Sequence, residues 1–498
     1  MNHPIPQKES CQFLKYWQDS FFKVIPNFLI LFFCFCSIVG LAQEQLGLRT
    51  ENYSGINSIS LNPANNLTSP FQWDVNLGAG GFFLENNFGG FRNASIGTLT
   101  DAREEDFFLA TDFPSDQQFP NGAIVFDFAE VGKDKFATLL ATISGPSFML
   151  NFEKHSFGLF TNIRSVIGGQ QIPAVFGYYD YQSVGINEQY TVSPSSIAGM
   201  TWSELGVNYL FKGETNNGQI GIGFSVKYLQ GYESFFVKND TELRITKMER
   251  DVLTFEDGAN IRFGFTNSSI DEEELNFQNN GSGFGIDVGI TFASDGYLDG
   301  YGYKLGVSLL DIGTINFTEN TELHGRIDID EAFIFNPRNL EGVTTLREGL
   351  SALDRELFND TISTRSGDTY EMGLPSAFSL QADVALAENI YINATLLQRM
   401  TGRNISLARG NLLAVTPRYE SRWISTFLPI SLYNYQRFQI GAAIRLAFLT
   451  IGSENLGSFL GKRNLTGTDF YAAIKVNPFR LGWKGGGRRG KDVKCYQF

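Results

Sequence analysis

A chain of 498 residues with a net charge of −14 has room for one large barrel or several ordinary domains, and its acidity argues against a nucleic-acid partner. Cys11, Cys34 and Cys36 lie in the first 42 residues, so Cys495 alone remains beyond them and a disulfide framework is excluded.

Residues 1–42 read as a secretory signal peptide. Lys8, Lys15 and Lys23 precede an apolar or small run, residues 28–42, ending in Gly40-Leu41-Ala42, with cleavage expected before Gln43. That run is shorter than the roughly 18–20 residues a spanning helix needs. The leader sets three lysines against Glu9 and Asp19, which leaves the mature chain at −15. Beyond Gln43 no apolar run reaches spanning length, so the mature chain is either soluble or a barrel, the other way of crossing a bilayer.

From residue 73 onward the chain repeats one pattern, segments of about ten residues in which apolar side chains alternate with polar, charged or tiny ones. Residues two apart share a face of a strand. Residues 73–84 place Asp74, Asn76, Gly78 and Gly80 inward. After residues 145–150 and a turn at 151–154, Phe157, Leu159, Thr161 and Ile163 oppose Asn162 and Arg164. Leu205, Val207, Tyr209 and Phe211 oppose Glu204, Gly206 and Asn208; then Asn216-Asn217-Gly218 turns into residues 220–228, with Lys227 on the polar face. Residues 284–292 carry Asp287 opposite an aliphatic row, and residues 378–384 carry Asp383. Residues 438–449 set Phe438, Ile440, Ile444, Leu446 and Phe448 against Gln439, Gly441 and Arg445, and residues 469–476 form a final strand. A secreted sandwich or propeller competes with this reading, but charges opposite fully aliphatic faces along an exported chain favour an all-β fold, a transmembrane antiparallel β-barrel with a wet interior.

Long insertions interrupt the strands at 101–135, 178–196, 239–281 and 317–372. The acidic runs Ser269–Glu274 and Asp328–Glu331 lack EF-hand spacing and read as solvated loops. In the last insertion Leu346, Leu350, Leu353 and Leu357 fall at helical spacing over residues 346–358, with Thr345 and Glu348 as a capping box. The stripe is either a lid on the barrel mouth or a docking face for a partner. Residues 477–498 form a basic tail, flexible in the periplasm or in contact with a partner.

The tripeptide Asn62-Pro63-Ala64 resembles the start of the long-chain fatty-acid transporter superfamily of outer-membrane barrels, where it lies in a luminal plug. Gly145–Leu150, Trp202–Gly206, Lys227–Gly231, Gly285–Gly289, Ser308–Gly313 and the closing Lys494–Phe498 resemble an uncharacterised Bacteroidota outer-membrane β-barrel family. The resemblance implies about 14 strands, both termini in the periplasm and an N-terminal plug segment at 43–70 leading into a barrel at 71–476. Relatives within that superfamily move hydrophobic solutes, while others are accessory parts of type IX secretion machinery.

No enzyme, cofactor or metal site is expected. His155 and His324 stand apart with no zinc spacing, Gly-x-Ser-x-Gly is absent, and the glycines at 485–490 have no βαβ unit to serve. The inward charges Arg164, Glu204, Lys227, Asp287, Asp383 and Arg445 are the candidate site. They either hold the plug through ion pairs or line a polar path for a solute. The sequence therefore reads as a barrel in the cell outer membrane, surrounded by lipid and serving passive uptake or transfer of a hydrophobic or small solute. The competing reading is a non-transporting assembly or accessory subunit bound to an envelope protein in a type IX-like complex.

Overall fold

The alternation closes into a ring. The computed structural model describes residues 44–477 except 104–105, 113–118, 121, 250–251, 267–277, 297–299, 341–342, 344, 401–404, 406 and 462–463. The leader, the acidic run Ser269–Glu274 and the tail from residue 478 lie outside the described residues. Fourteen strands follow in chain order: β1 (Trp73–Asn86), β2 (Lys135–Ser144 and Ser147–Asn151), β3 (His155–Ile172), β4 (Ser195–Thr215), β5 (Gly218–Asn239), β6 (Gly281–Asp295) and β7 (Tyr301–Phe317) make the first half. The second half is β8 (Tyr370–Gly373 and Ala377–Ala387), β9 (Ile390–Arg399), β10 (Leu412–Glu420), β11 (Ile424–Phe427 and Ile430–Tyr433), β12 (Arg437–Ile440 and Ala442–Leu446), β13 (Leu449–Ser453) and β14 (Gly467–Val476). Each pairs antiparallel with its sequence neighbours, and β14 pairs with β1 from Val75↔Val476 to Glu85↔Gly467. An even strand number lets the ring close antiparallel, leaving no open edge.

The two faces separate by burial. Leu205 is 52% exposed, Ile222 50% and Phe284 66%, while Lys227 is 5% exposed and Asp287 2%. An apolar exterior around a charged interior is the inverse of a soluble sandwich and belongs to a barrel that spans a bilayer. No helix among the described residues is long and apolar enough to cross a membrane. At one end the strands join through short turns, at 152–154, 216–217, 388–389, 421–423 and 447–448; at the other, connections run through 87–134, 173–194, 240–280 and 318–369. β1 begins and β14 ends at the short-turn end, and exposed Trp73, Phe152, Trp423 and Phe448 ring that rim.

Three local features depart from the sequence reading. The run at 438–449 is not one strand: it breaks at Gly441, turns at Ala447 (φ 52°) and Phe448, and Leu449 opens β13. A bulge between Asn76 and Gly78 shifts the faces of β1, so Ala79, Phe83 and Glu85 take the inward positions and the expected Gly78 and Gly80 fall on the alternate ones. The insertions also carry small sheets. Gly89–Phe91, Ile124–Phe128 and Phe107–Leu109 form one; Glu188–Val192, Leu243–Lys247, Leu253–Phe255 and Phe333–Phe335 form another drawn from three separate insertions.

Candidate functional site in the barrel lumen

Residues 44–72 run inside the ring as three short helical turns, Leu46–Arg49, Gly55–Ser60 and Asn65–Thr68. Such short turns leave backbone groups without intrahelical partners, and buried ones must be satisfied elsewhere. The wall supplies the partners. Leu46 N–H donates to Glu454 Oε1 (2.6 Å), Gly47 N–H to the Tyr471 hydroxyl (3.0 Å) and Ile56 N–H to Asp74 Oδ1 (3.1 Å). The Leu61 carbonyl accepts from Ser308 Oγ and Gln381 Nε2, both at 2.8 Å. Apolar contacts add to this, with Leu46 and Leu61 against Leu310, Leu397 and Leu412, and Ile56 and Ile59 against Met149 and Phe160.

Asn62, Pro63 and Ala64 sit on the wall formed by β4 to β7. Asn62 Oδ1 accepts the Ala64 N–H at 2.8 Å, which tightens the turn at Pro63, whose ring fixes φ. Its Nδ2 donates to Thr291 Oγ1 (3.2 Å) and the Ile290 carbonyl (3.3 Å), and Asn208 Nδ2 donates to the Pro63 carbonyl (3.2 Å). The seat is built of glycine. A Cβ at Gly223 would overlap the Pro63 carbonyl, and one at Gly289 or Gly306 would overlap the Asn62 amide.

Three groups of paired charges line the inward face. Arg164 donates to Glu204 Oε1 (2.9 Å) and to both oxygens of Asp311 (2.9 and 3.0 Å), and stacks 4.9 Å from the Trp202 ring. Lys227 Nζ bridges Asp287 (2.8 Å) and Asp311 (2.7 Å). Arg409 lies 3.6 Å from Asp311 and grips both oxygens of Glu44 at 2.6 Å; Arg49 reaches Glu44 at 3.3 Å. Four cations thus face four carboxylates, and the buried set is neutral as a unit, as a low-dielectric site requires. In the second group Arg418 pairs with Asp383 (2.8 Å) and with Glu420, and Asn52 Nδ2 donates to Glu420 Oε2 (3.1 Å). In the third, Arg445 Nε meets Glu51 of the N-terminal segment at 2.9 Å and its Nη2 donates to Ser425 Oγ (2.6 Å).

Between the N-terminal segment and the first group lies a cavity of about 80 Å³ with a mixed lining, Arg164, Glu204 and Asp311 on one side and Ile56, Leu140 and Phe160 on the other. That is room for a few waters, against the roughly 300–1,000 Å³ of small-molecule pockets. Toward the long-connection end the inward face becomes apolar, with Met200, Trp202, Leu229, Phe317, Met372 and Leu374 in one buried cluster.

Residues 63–454 match the family model described as "Family of unknown function (DUF5723)". The chain belongs to this family. The matched span starts at Pro63 of the glycine seat and ends at Glu454, which accepts the Leu46 N–H. No curated protein matches the chain. Among solved structures it is similar to a deltaS2 mutant of the TodX monoaromatic hydrocarbon channel (10% identity, 85% of this chain and 93% of that one, TM-score 0.36). It is also similar to the Pseudomonas putida toluene transporter TodX (9% identity, 88% and 93%, TM-score 0.34) and to the translocator domain of the autotransporter NalP from Neisseria meningitidis (6% identity, 86% and 95%, TM-score 0.26). Likeness of this degree carries no argument about function.

In this family member, four of the six charges expected at the site come together, Arg164, Glu204, Lys227 and Asp287, while Asp383 and Arg445 lie in separate groups. Asp311, Arg409, Arg418, Glu44, Glu51 and Glu420 complete these groups and were not among the charges expected at the site, Asp311 having stood out only within Ser308–Gly313. The helix Leu346–Phe358 starts where expected, with Thr345 Oγ1 accepting the Glu348 N–H at 3.2 Å. Its leucines pack on the chain itself: Leu350 is buried with Phe263, Leu323 and Ile327, and Leu346, Leu353 and Leu357 lie against the same cluster.

Proposed function

We propose that the protein is a gated passive channel of the outer membrane. A small or hydrophobic solute passes through the lumen once residues 44–72 move aside as a plug. The observation that supports this most is the attachment of that segment. It is held to the wall by Glu44–Arg409, Glu51–Arg445 and hydrogen bonds from its own backbone, bonds that water can replace as it enters the lumen. The charged side of the cavity, at Arg164 and Asp311, gives water a foothold at that contact. The apolar cluster above it would meet an apolar solute entering from the long-connection end.

Proteoliposome flux tests this. Purified protein is expected to admit a neutral sugar only slightly faster than protein-free vesicles do. Glu44→Gln/Glu51→Gln protein, with both anchors weakened, is expected to admit it faster still. Flux equal to that of empty vesicles for both proteins, with the barrel folded, would contradict the reading.

A further inference from the structure

Within the β9–β10 connection, Ile405 and residues 407–411 touch both halves of the lumen. Ile405 and Leu407 are buried in the apolar cluster with Trp202, Leu229, Phe317, Met372 and Leu374, which contains no residue of 44–72 among the described residues. Their backbone is fixed beside β8: Gly373 N–H donates to the Ile405 carbonyl (2.8 Å) and Leu407 N–H to the Gly373 carbonyl (3.1 Å). Two residues on, Arg409 leaves the apolar layer and enters the charged one. Its guanidinium holds Glu44 through three hydrogen bonds of 2.6 to 3.0 Å and lies 3.6 Å from Asp311. Gly410 then passes under the buried Tyr433 ring so closely that a Cβ there would overlap it. The connection is therefore pinned on both sides of Arg409, and its position sets where the guanidinium stands.

We infer that Arg409 is a latch: it makes the seating of the N-terminal segment depend on the seating of Ile405 and Leu407 in the apolar layer. A bidentate guanidinium–carboxylate pair is geometrically strict, so a small shift of the connection breaks it. Anything that displaces Leu407 from its apolar contacts thereby frees Glu44 on the far side of the charged layer. Arg409 acts here as a positioning residue. The inference rests on the reading of residues 44–72 as a displaceable plug.

The test reads exposure of the segment rather than transport. In protein of residues 43–498 carrying Cys495→Ser and Ser60→Cys, whose single thiol is at position 60, the rate of maleimide modification reports release, with heat-modifiable migration confirming a folded barrel. Arg409→Met and Leu407→Ser are each expected to raise that rate by about tenfold, and the two together no further than either alone, because coupled sites are non-additive. Arg409→Lys, which keeps the charge but not the bidentate fork, is expected to raise the rate as well, by less than Arg409→Met. A wild-type rate in Leu407→Ser, or effects that multiply in the double variant, would overturn the latch. Should Leu407→Ser not assemble, Ile405→Ala supplies the same comparison. Flux measured on the same proteins separates the two claims: coupled labelling without flux rejects the channel reading alone, and flux with uncoupled labelling rejects the latch alone.

Discussion

Asp311 takes Arg164, Lys227 and Arg409 because β7 bulges beside it. Strict alternation from Leu305, Val307 and Leu309 would point Asp311 at lipid. Instead the register shifts opposite Ile286 and Val288, Asp311 adopts φ 54°, and Leu310 and Asp311 are both buried. A reading based on period two places Arg164, Glu204, Lys227 and Asp287 inward and has no means of finding the residue they share. Arg418 escaped for a related reason, since Pro417 beside it argues against a central strand. Glu44, Glu51 and Arg409 lie in segments with no period at all. The network gives a direct expectation for Asp311→Asn. Removing one member of a buried charge set leaves the others uncompensated, at a cost of about 3–5 kcal/mol. The temperature at which the folded band converts on gels should fall clearly; an unchanged temperature would show that the network does not hold the barrel.

At the level of elements, the readable parts were those whose signal is local. Strand faces follow from side chains two apart, and the helix Leu346–Phe358 from its leucine spacing and the Thr345 cap. The sheet joining Glu188–Val192, Leu243–Lys247, Leu253–Phe255 and Phe333–Phe335 was not readable, because its partners come from three insertions and no single stretch carries the pairing. One element should respond to pH. His324, in the connection after β7, lies tilted against the Tyr370 ring with centroids 5.2 Å apart, and its Nδ1 lies 3.0 Å from the Asp368 carbonyl. Burial holds its imidazole below the ordinary histidine range, so the folded connection favours the neutral ring. A depressed value means that its contribution is complete above the unfolded value of about 6.5 and is lost as pH falls through the folded value. Hydrogen-exchange protection across 318–369, referred to the intrinsic rate at each pH, is expected to fall as pH drops from about 7.5 through the folded value, and to lose that dependence in His324→Phe. Equal dependence in both proteins would assign the effect to another group.

The whole molecule is a stack of layers inside an apolar belt. Residues 44–72 fill the lumen toward the short-turn end, a neutral set of ion pairs lies above them, and an apolar cluster closes the other side. The central claim is that the N-terminal segment is a removable occupant of a barrel that stands without it. Gly223 and Gly289 separate the two. Both face inward in paired strands, where valine favours the strand, yet a Cβ at either would collide with Pro63 or Asn62. Single-channel conductance of Gly223→Val/Gly289→Val protein in planar bilayers is the most direct measurement. The expected result is a barrel that assembles and migrates as folded, nearly silent as wild type and openly conducting in the variant. A folded variant as silent as wild type would contradict the account.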